Sequence, residues 1–472
     1  MSESEHIAAA DAPRAGADQQ AMDAEDRLRP EFVDQVLDAV AAGDDVSARA
    51  LVEPLHPADV ADLIELAARD EREGLVKALA GIVDADVLAE MNEHVREALI
   101  EALDPEQVAD LAGQMETDDA VAILEDLDDD EQRAVLLAME PDDRAAIEEA
   151  LTSPEESAGR LMQRDLIAVP EHWRVGEVID YLRSSDQLAD DFWEVFVVNP
   201  GHHPIGTCKL SSILRSPRSS PVRDIMMDEQ TLIPVDMDQE DVALRFQKYA
   251  LVSAAVIDGE GRLVGMITVD DIVHIIQEEA GEDVLLLSGA GDGDINEPIG
   301  MTVRTRLTWL VINLGTAMVA ASVVGLFQGE IGRFALLAVL MPIVSGMGGN
   351  AGTQTLAVVV RALATNQLTS SNTLRMIGRE FKIALANGLA LGLLIGTGTA
   401  FVFGYPKLGL VIGAAMIINN LVAGLAGILV PVTLDRARVD PAVSSAVFVT
   451  MATDVMGFFS FLGLAALAGL GR

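Results

Sequence analysis

Five apolar stretches in the last third of this 472-residue chain constrain it more than any other feature. They run over roughly 307–327, 334–360, 383–403, 408–432 and 442–470. Each reaches the ~20 residues that a helix needs to cross about 30 Å of hydrocarbon. Hydrocarbon offers backbone amides no partner, so spanning segments of this length must close their hydrogen bonds internally, as helices. The pattern predicts an all-α transmembrane domain of five helices over 302–472.

Charge divides the chain at the same place. From Thr302 onward there are 5 acids against 11 lysines and arginines, and the part before it holds 70 acids against 21 bases. Phosphates would be repelled by so acidic a half, which excludes nucleic acid as a general partner and favours cations. With that half inside the cell, the inner flanks hold Arg304, Arg306, Arg361, Arg375, Arg379, Lys382, Arg436 and Arg438. The outer flanks hold only Arg333, Lys407 and Arg472. This asymmetry fits the positive-inside rule and predicts a multi-pass protein of the lipid bilayer at the inner (plasma) membrane, N-terminus cytoplasmic and C-terminus outside. The N-terminus lacks a basic segment leading into an apolar one, so no cleaved signal is expected, and residues 1–29 read as a mobile tail. Cys208 is the only cysteine, which leaves no disulfide framework or thiolate cluster.

Over 30–159 an apolar residue followed by acids or proline recurs every 12 positions, at Leu103-Asp-Pro-Glu, Met115-Glu-Thr-Asp, Leu127-Asp-Asp-Asp and Met139-Glu-Pro-Asp. Proline and acids suit the first turn of a helix. Twelve residues make one short helix and a turn, so the segment predicts a small α-helical superhelix. Over 160–277 strand-like runs such as Glu194-Val-Phe-Val-Val198 and Ser253-Ala-Ala-Val-Ile257 alternate with helical ones. Two β-rich arms around a glycine turn, followed by Thr268-Val-Asp-Asp271 and a helix, resemble a CBS (cystathionine β-synthase type) module at 222–277. A less regular copy occupies 160–221. In the connector over 278–301, Glu279, Glu282 and Asp283 fall on one helix face, where like charges repel unless water or a cation intervenes.

Asp454 stands alone near the middle of an expected span, where a charge costs at least about 2.5–3.5 kcal/mol on insertion scales. Ala446 and Thr450 precede it at helical steps. Pro342, Gly346, Asn350 and Gln354 lie along one side of the second span, and proline and glycines at such depth are tolerated beside a cavity or another helix. Gly346, Gly348 and Gly349 also suit close helix packing. Neither a phosphate loop nor a Ser/His/Asp or His-Glu-x-x-His grouping is present, so the chain is not read as an enzyme or an ATP-driven pump.

The order of these parts resembles the MgtE family of bacterial Mg²⁺ channels. The resemblance rests on Ser157-Ala-Gly-Arg-Leu-Met162, the CBS pair, Glu279-Ala-Gly-Glu-Asp283, Pro342…Gly-Gly-Asn-x-x-x-Gln354 and Thr453-Asp454-x-x-Gly457. It implies a homodimer enclosing one pore, with two copies of Asp454 facing each other and backbone near Thr450 and Ala446 assisting. It further implies import of Mg²⁺ down its gradient and closure by cytoplasmic Mg²⁺. The matching inner positions are Asp118, Gly159 through its backbone, Asp238, Glu240, Asp271, Glu279, Glu282 and Asp283. Ala122, Ala250 and His274 stand where that pattern has acids. Two alternatives stay open: a proton-coupled carrier of Mg²⁺, Co²⁺ or Mn²⁺ using Asp454 as relay, and a nucleotide bound at the CBS pair.

Overall fold

A computed structural model describes residues 21–101, 103–125, 127–184, 188, 192–289, 295–369, 371–443 and 445–470. They fall into two compact units, Met1–Ile275 and Ile276–Arg472.

The first unit opens with short helices between Pro30 and Leu151 that share one apolar core. The last four begin at Pro105, Thr117, Asp129 and Pro141, in step with the twelve-residue sequence repeat. Their starts are set locally. Asp128 Oδ1 accepts from the amides of Asp130 and Glu131 at 3.0 Å each, and Asp104 N donates to Gln107 Oε1 at 3.0 Å. Pro105 and Pro141 take the first helical position, where a missing N–H costs nothing. Helices this short do not persist alone in water. Val108, Val121, Leu124, Val135 and Ile147 bury one face of each against its neighbours, which supplies the stability.

Residues 1–20, most of the expected tail, lie outside the described residues. Ala21 to Arg29 fold back on the helices: Arg29 N donates to Ala21 O at 2.8 Å, and the Asp23 carboxylate accepts from the amides of Glu25 and Arg27. Residues 21–29, expected as part of a mobile tail, are instead packed on the helices, because Ala21 and Leu28 join the core.

Two three-stranded sheets follow, built alike. In one, β1 (Ala168–Pro170) runs parallel to β2 (Glu194–Val198), which pairs antiparallel with β3 (Pro204–Lys209). In the other, β4 (Leu232–Pro234), β5 (Ser253–Ile257) and β6 (Leu263–Thr268) repeat that order, with a register shift at the same place. The expected boundaries at 159/160 and 221/222 are crossed by chain exchange. Ala158 and Met162 sit in the core around β4–β6, and Val222 sits in the core around β1–β3. Gly206 in β3 and Gly265 in β6 make room for the crossing segments. A Cβ on Gly206 would lie 2.7 Å from Met227 O, and one on Gly265 would lie 2.7 Å from Met162 Sδ.

Among its described residues the second unit holds five helices long and apolar enough to cross a membrane: Ile299–Leu326, Leu336–Ala364, Thr373–Phe403, Pro406–Arg436 and Ser445–Leu467. Three helix starts differ from expectation, the first span among them, which begins at Ile299 instead of 307. The connector helix runs Val269–Ser288 and so begins directly after β6 instead of at 278, since nothing in Val269-Asp-Asp-Ile breaks it. The third span starts at Thr373 instead of 383. Arg375, Arg379 and Lys382 lower its hydropathy without ending the helix, and this draws Glu380 inside a span. The third and fourth spans meet along glycines: Cβ atoms on Gly392 and Gly396 would lie 2.7 Å from the carbonyl oxygens of Gly413 and Gly409. Close backbone approach of this kind takes the place of the hydrophobic driving force that lipid does not provide.

Candidate functional site

In the second unit the Ser345 hydroxyl, on the second span, donates to Asp454 Oδ1 on the fifth. One residue earlier, Val344 O accepts from Asn419 Nδ2 of the fourth span at 2.8 Å. Asn419 is fully buried. It fits between two glycines: a Cβ on Gly348 would lie 2.7 Å from Asn419 Cγ, and one on Gly457 would lie 2.8 Å from Asn419 Nδ2. Three spans are thus tied together at the level of Asp454. Gly348→Ala should overpack this junction and destabilise the fold by about 1–3 kcal/mol. Thermal unfolding in detergent measures it, and an unchanged midpoint would mean that Asn419 can move aside freely.

Pro342, Gly346, Asn350 and Gln354 are all exposed along the second span, as is Thr450 on the fifth, while Ala446 and Asp454 are half-buried. The face carrying the expected pore residues is therefore left uncovered by the chain's own helices. Glu380 is a second acid within a long apolar helix, the eighth residue from its start and so not near its middle as Asp454 is. It is buried on the third span, with Thr355 Oγ1 3.5 Å from its Oε2.

The first unit holds the second candidate site. Carboxylate oxygens of Glu116, Asp118 and Asp271 lie within 4.8 Å of one another. Asp118 and Asp271 are half-buried and Glu116 is exposed. Glu116 and Asp118 flank the start of the helix Thr117–Glu125, and Asp271 is in the first turn of Val269–Ser288. Thr268 Oγ1 donates to Asp271 Oδ2 at 2.7 Å, and Gln163 Nε2 donates to the same oxygen at 3.3 Å and to Glu116 Oε2. Asp118 Oδ1 is shielded from solvent and accepts no hydrogen bond from the protein.

These carboxyls resist ionising. Burial holds Asp118 well above the usual carboxylate range, and the charge of Asp271 adds to it. Although Glu116 as a whole is exposed, partial burial of its carboxyl raises it to about 7, again with help from Asp271. Burial raises Asp271 to about 6, against the opposing pull of the Thr268 hydroxyl. Asp119, next in the helix, is raised by burial and pulled back by Arg96 and His274. Two unit charges 4.8 Å apart repel by about 3 kcal/mol at an effective dielectric of ~20. Three such oxygens and one shielded, unpaired carboxylate oxygen suit a hard divalent cation. The donor set fits Mg²⁺, which Glu116, Asp118 and Asp271 would hold.

Other expected positions lie elsewhere. Gly159 N donates to Val235 O at 2.9 Å, and Ser157 bridges Asp238, so this loop and the start of the helix Gln239–Tyr249 are neighbours. There Asp238 Oδ1 accepts from Glu240 N at 3.0 Å, as a helix cap. Glu279 is half-buried and Glu282 exposed on the connector helix, and the side chain of Asp283 is outside the described residues. Ala250 ends its helix in a left-handed conformation, φ 50°. His274 acts electrostatically on Asp119, so a basic group stands at the edge of the acidic cluster.

Glu116 and Ser345 were not singled out from sequence, and Asn419 stood out only as one of several polar and small residues in the fourth span. Glu116 was one of many helix-start acids. Ser345 and Asn419 bond to residues 109 and 75 positions away, which no local pattern displays.

Comparison with known proteins agrees across both units. Residues 341–464 match the family described as "Divalent cation transporter", 55–156 the "MgtE intracellular N domain" and 222–278 the "CBS domain". The magnesium transporter MgtE of Thermus thermophilus is 32% identical over 316 residues, 66% of this chain and 70% of the relative. That of Enterococcus faecalis is 31% identical over 312 residues, 66% of this chain and 69% of the relative. Among solved structures, the cytosolic domain of the Mg²⁺ channel MgtE in complex with ATP is 26% identical with a TM-score of 0.48. The match covers 52% of this chain and 99% of that one. The chain belongs to the MgtE family of magnesium transporters, multi-pass proteins of the membrane.

Proposed function

We propose that the chain is a Mg²⁺ channel that admits the ion to the cytoplasm down its electrochemical gradient, as a homodimer with Asp454 seating the ion. The observation that carries this is Asp454 itself, an acid inside the fifth span, held by Ser345 at the edge of a polar face that the chain does not cover. An uncovered stripe of Asn350, Gln354 and Thr450 would be costly against lipid, and a second copy turning the same face inward removes that cost. Mg²⁺ gives up its water reluctantly and is bound through one or two carboxylates while keeping several waters. Two copies of Asp454 around a hydrated ion meet that requirement. Backbone near Ala446 and Thr450 would complete the lining. With the acidic half inside, an inside-negative potential favours entry by about 4.6 kcal/mol per 100 mV for a doubly charged ion, twice the single-charge value.

We further propose closure by cytoplasmic Mg²⁺ at Glu116, Asp118 and Asp271, with Gly159, Asp238, Glu240, Glu279, Glu282 and Asp283 as additional inner positions. Without the ion, the carboxylates of the first cluster repel. With it, the helical domain and the second CBS module are drawn together through Asp118 and Asp271. A nucleotide at the CBS pair is a separate proposal that rests on the modules alone.

The rival within the same family is a proton-coupled carrier with Asp454 as its relay. Currents recorded in planar bilayers under a Mg²⁺ gradient separate the two. A channel keeps the reversal potential set by Mg²⁺ when the pH gradient is collapsed, whereas a shift of tens of millivolts on collapse would require coupling to protons.

A further inference from the structure

A second polar site lies inside the membrane unit, away from Asp454. The second, third and fourth spans line a half-open cavity of ≈ 210 Å³. Its polar lining is Gln354 and Thr355 from the second span, Glu380 and Asn387 from the third, and Asn420 from the fourth, with Arg379 at its edge. Liquid water takes about 30 Å³ per molecule, so the cavity accommodates several waters or an ion with part of its shell.

Two groups in it lack adequate partners within the protein. Glu380 is 6% exposed, and its nearest polar neighbours stand at the limit of hydrogen bonding. Thr355 Oγ1 is 3.5 Å from one carboxylate oxygen and Arg379 Nη1 is 3.5 Å from the other. The Arg379 side chain is 63% exposed, so it pairs loosely. Asn420 is 1% exposed; its Nδ2 donates to Met416 O at 2.9 Å, and its Oδ1 accepts nothing from the protein. Burying a carboxylate with only distant donors and an amide oxygen with none in one cavity is unfavourable. A divalent cation that keeps part of its water shell answers both, giving charge to Glu380 and water hydrogens to the amide oxygens.

We infer that this cavity is a divalent-cation site, with Glu380 as its anionic ligand and Asn420, Gln354 and Thr355 supplying neutral oxygens. A single carboxylate with neutral oxygens and retained waters is a donor set that Mg²⁺ accepts. The site shares the second and fourth spans with the junction at Asp454: Asn420 follows Asn419, and Gln354 belongs to both the cavity lining and the exposed stripe. An ion held here braces the third span against the second, which carries Val344 and Ser345, and against the fourth, which carries Asn419. The inference takes the cargo class from the family and is independent of the role proposed for Asp454.

Crystals of the full chain grown with 10 mM Mn²⁺, which takes the same oxygen ligands, test it by anomalous scattering. The expected result is a peak between Glu380 and Asn420 in the wild type that disappears in Glu380→Gln. A wild-type cavity holding waters only overturns the inference, as does a peak that survives the substitution. Should Glu380→Gln fail to fold, Asn420→Leu replaces it, and the wild-type map decides in any case. In liposome uptake, Glu380→Gln should raise the half-saturating Mg²⁺ concentration about tenfold, and an unchanged value would count against any part in transport.

Discussion

Asp454→Ala should abolish Mg²⁺-dependent rescue of a strain deficient in Mg²⁺ uptake, and Asp454→Asn should do nearly as much. The asparagine keeps the size of the side chain and can still meet Ser345, so its failure would assign the effect to charge. In a homodimer each substitution removes both carboxylates at once from the narrow part of the pathway. A hydrated divalent ion then faces low-dielectric walls with only neutral oxygens, and flux should fall by more than about 100-fold, equivalent to about 2.7 kcal/mol. Membrane insertion should not suffer, since the change removes a charge that is costly at that depth. Uptake of radioactive or dye-reported Mg²⁺ by equal amounts of each protein makes the measurement. Full rescue by the alanine variant would mean that the ion passes elsewhere.

Asp118→Asn should produce two opposite effects. Without Mg²⁺, the variant should be more stable than the wild type by about 1–3 kcal/mol, because it replaces a carboxyl with one shielded, unpaired oxygen by an amide that can donate to Glu116 or Asp271. With millimolar Mg²⁺ the order should reverse, since the wild type gains from the bound ion and the variant gains little. The pH dependence has a definite sign. Glu116 and Asp271 are raised in the folded state to about 7 and about 6. Stability due to these groups is therefore complete below their unfolded values near 4 and is lost as pH rises through 6 to 7. Mg²⁺ binding requires the ionised forms, so its stabilising effect should grow over that same interval. Thermal unfolding in EDTA and in Mg²⁺, from pH 5 to 8, tests all of this. A variant less stable in EDTA than the wild type would show that Asp118 is a structural residue and not a strained ligand.

The large divisions of the molecule were legible because they depend on local periodicity and charge. Five long apolar runs became five helices, and proline and acids at twelve-residue intervals placed helix starts at Pro105, Thr117, Asp129 and Pro141. The partly legible features involve competition between local and distant effects. Hydropathy alone began the third span at 383 because three basic residues dilute its first turns, and Glu380 was lost to view with them. Module boundaries drawn along the chain missed the exchange of Ala158 and Met162 for Val222, which depends on the space left by Gly265 and Gly206. Sequence gave Asp118 and Asp271 only through family resemblance. The convergence of Glu116 and Asp271 on Gln163, beside Asp118, is a tertiary fact, set by residues 47 and 108 positions from that glutamine.

Inside-out patches offer the most direct test of a pore at Asp454 governed by the acidic cluster. Mg²⁺ current is recorded first with the cytoplasmic face nearly free of Mg²⁺ and then with several millimolar. The wild type should conduct in the first condition and close in the second. Asp118→Asn should conduct in both, and Asp454→Asn in neither. Wild-type currents through Asp454→Asn would contradict the assignment of the pore, and normal closure of Asp118→Asn would place the sensor at other residues.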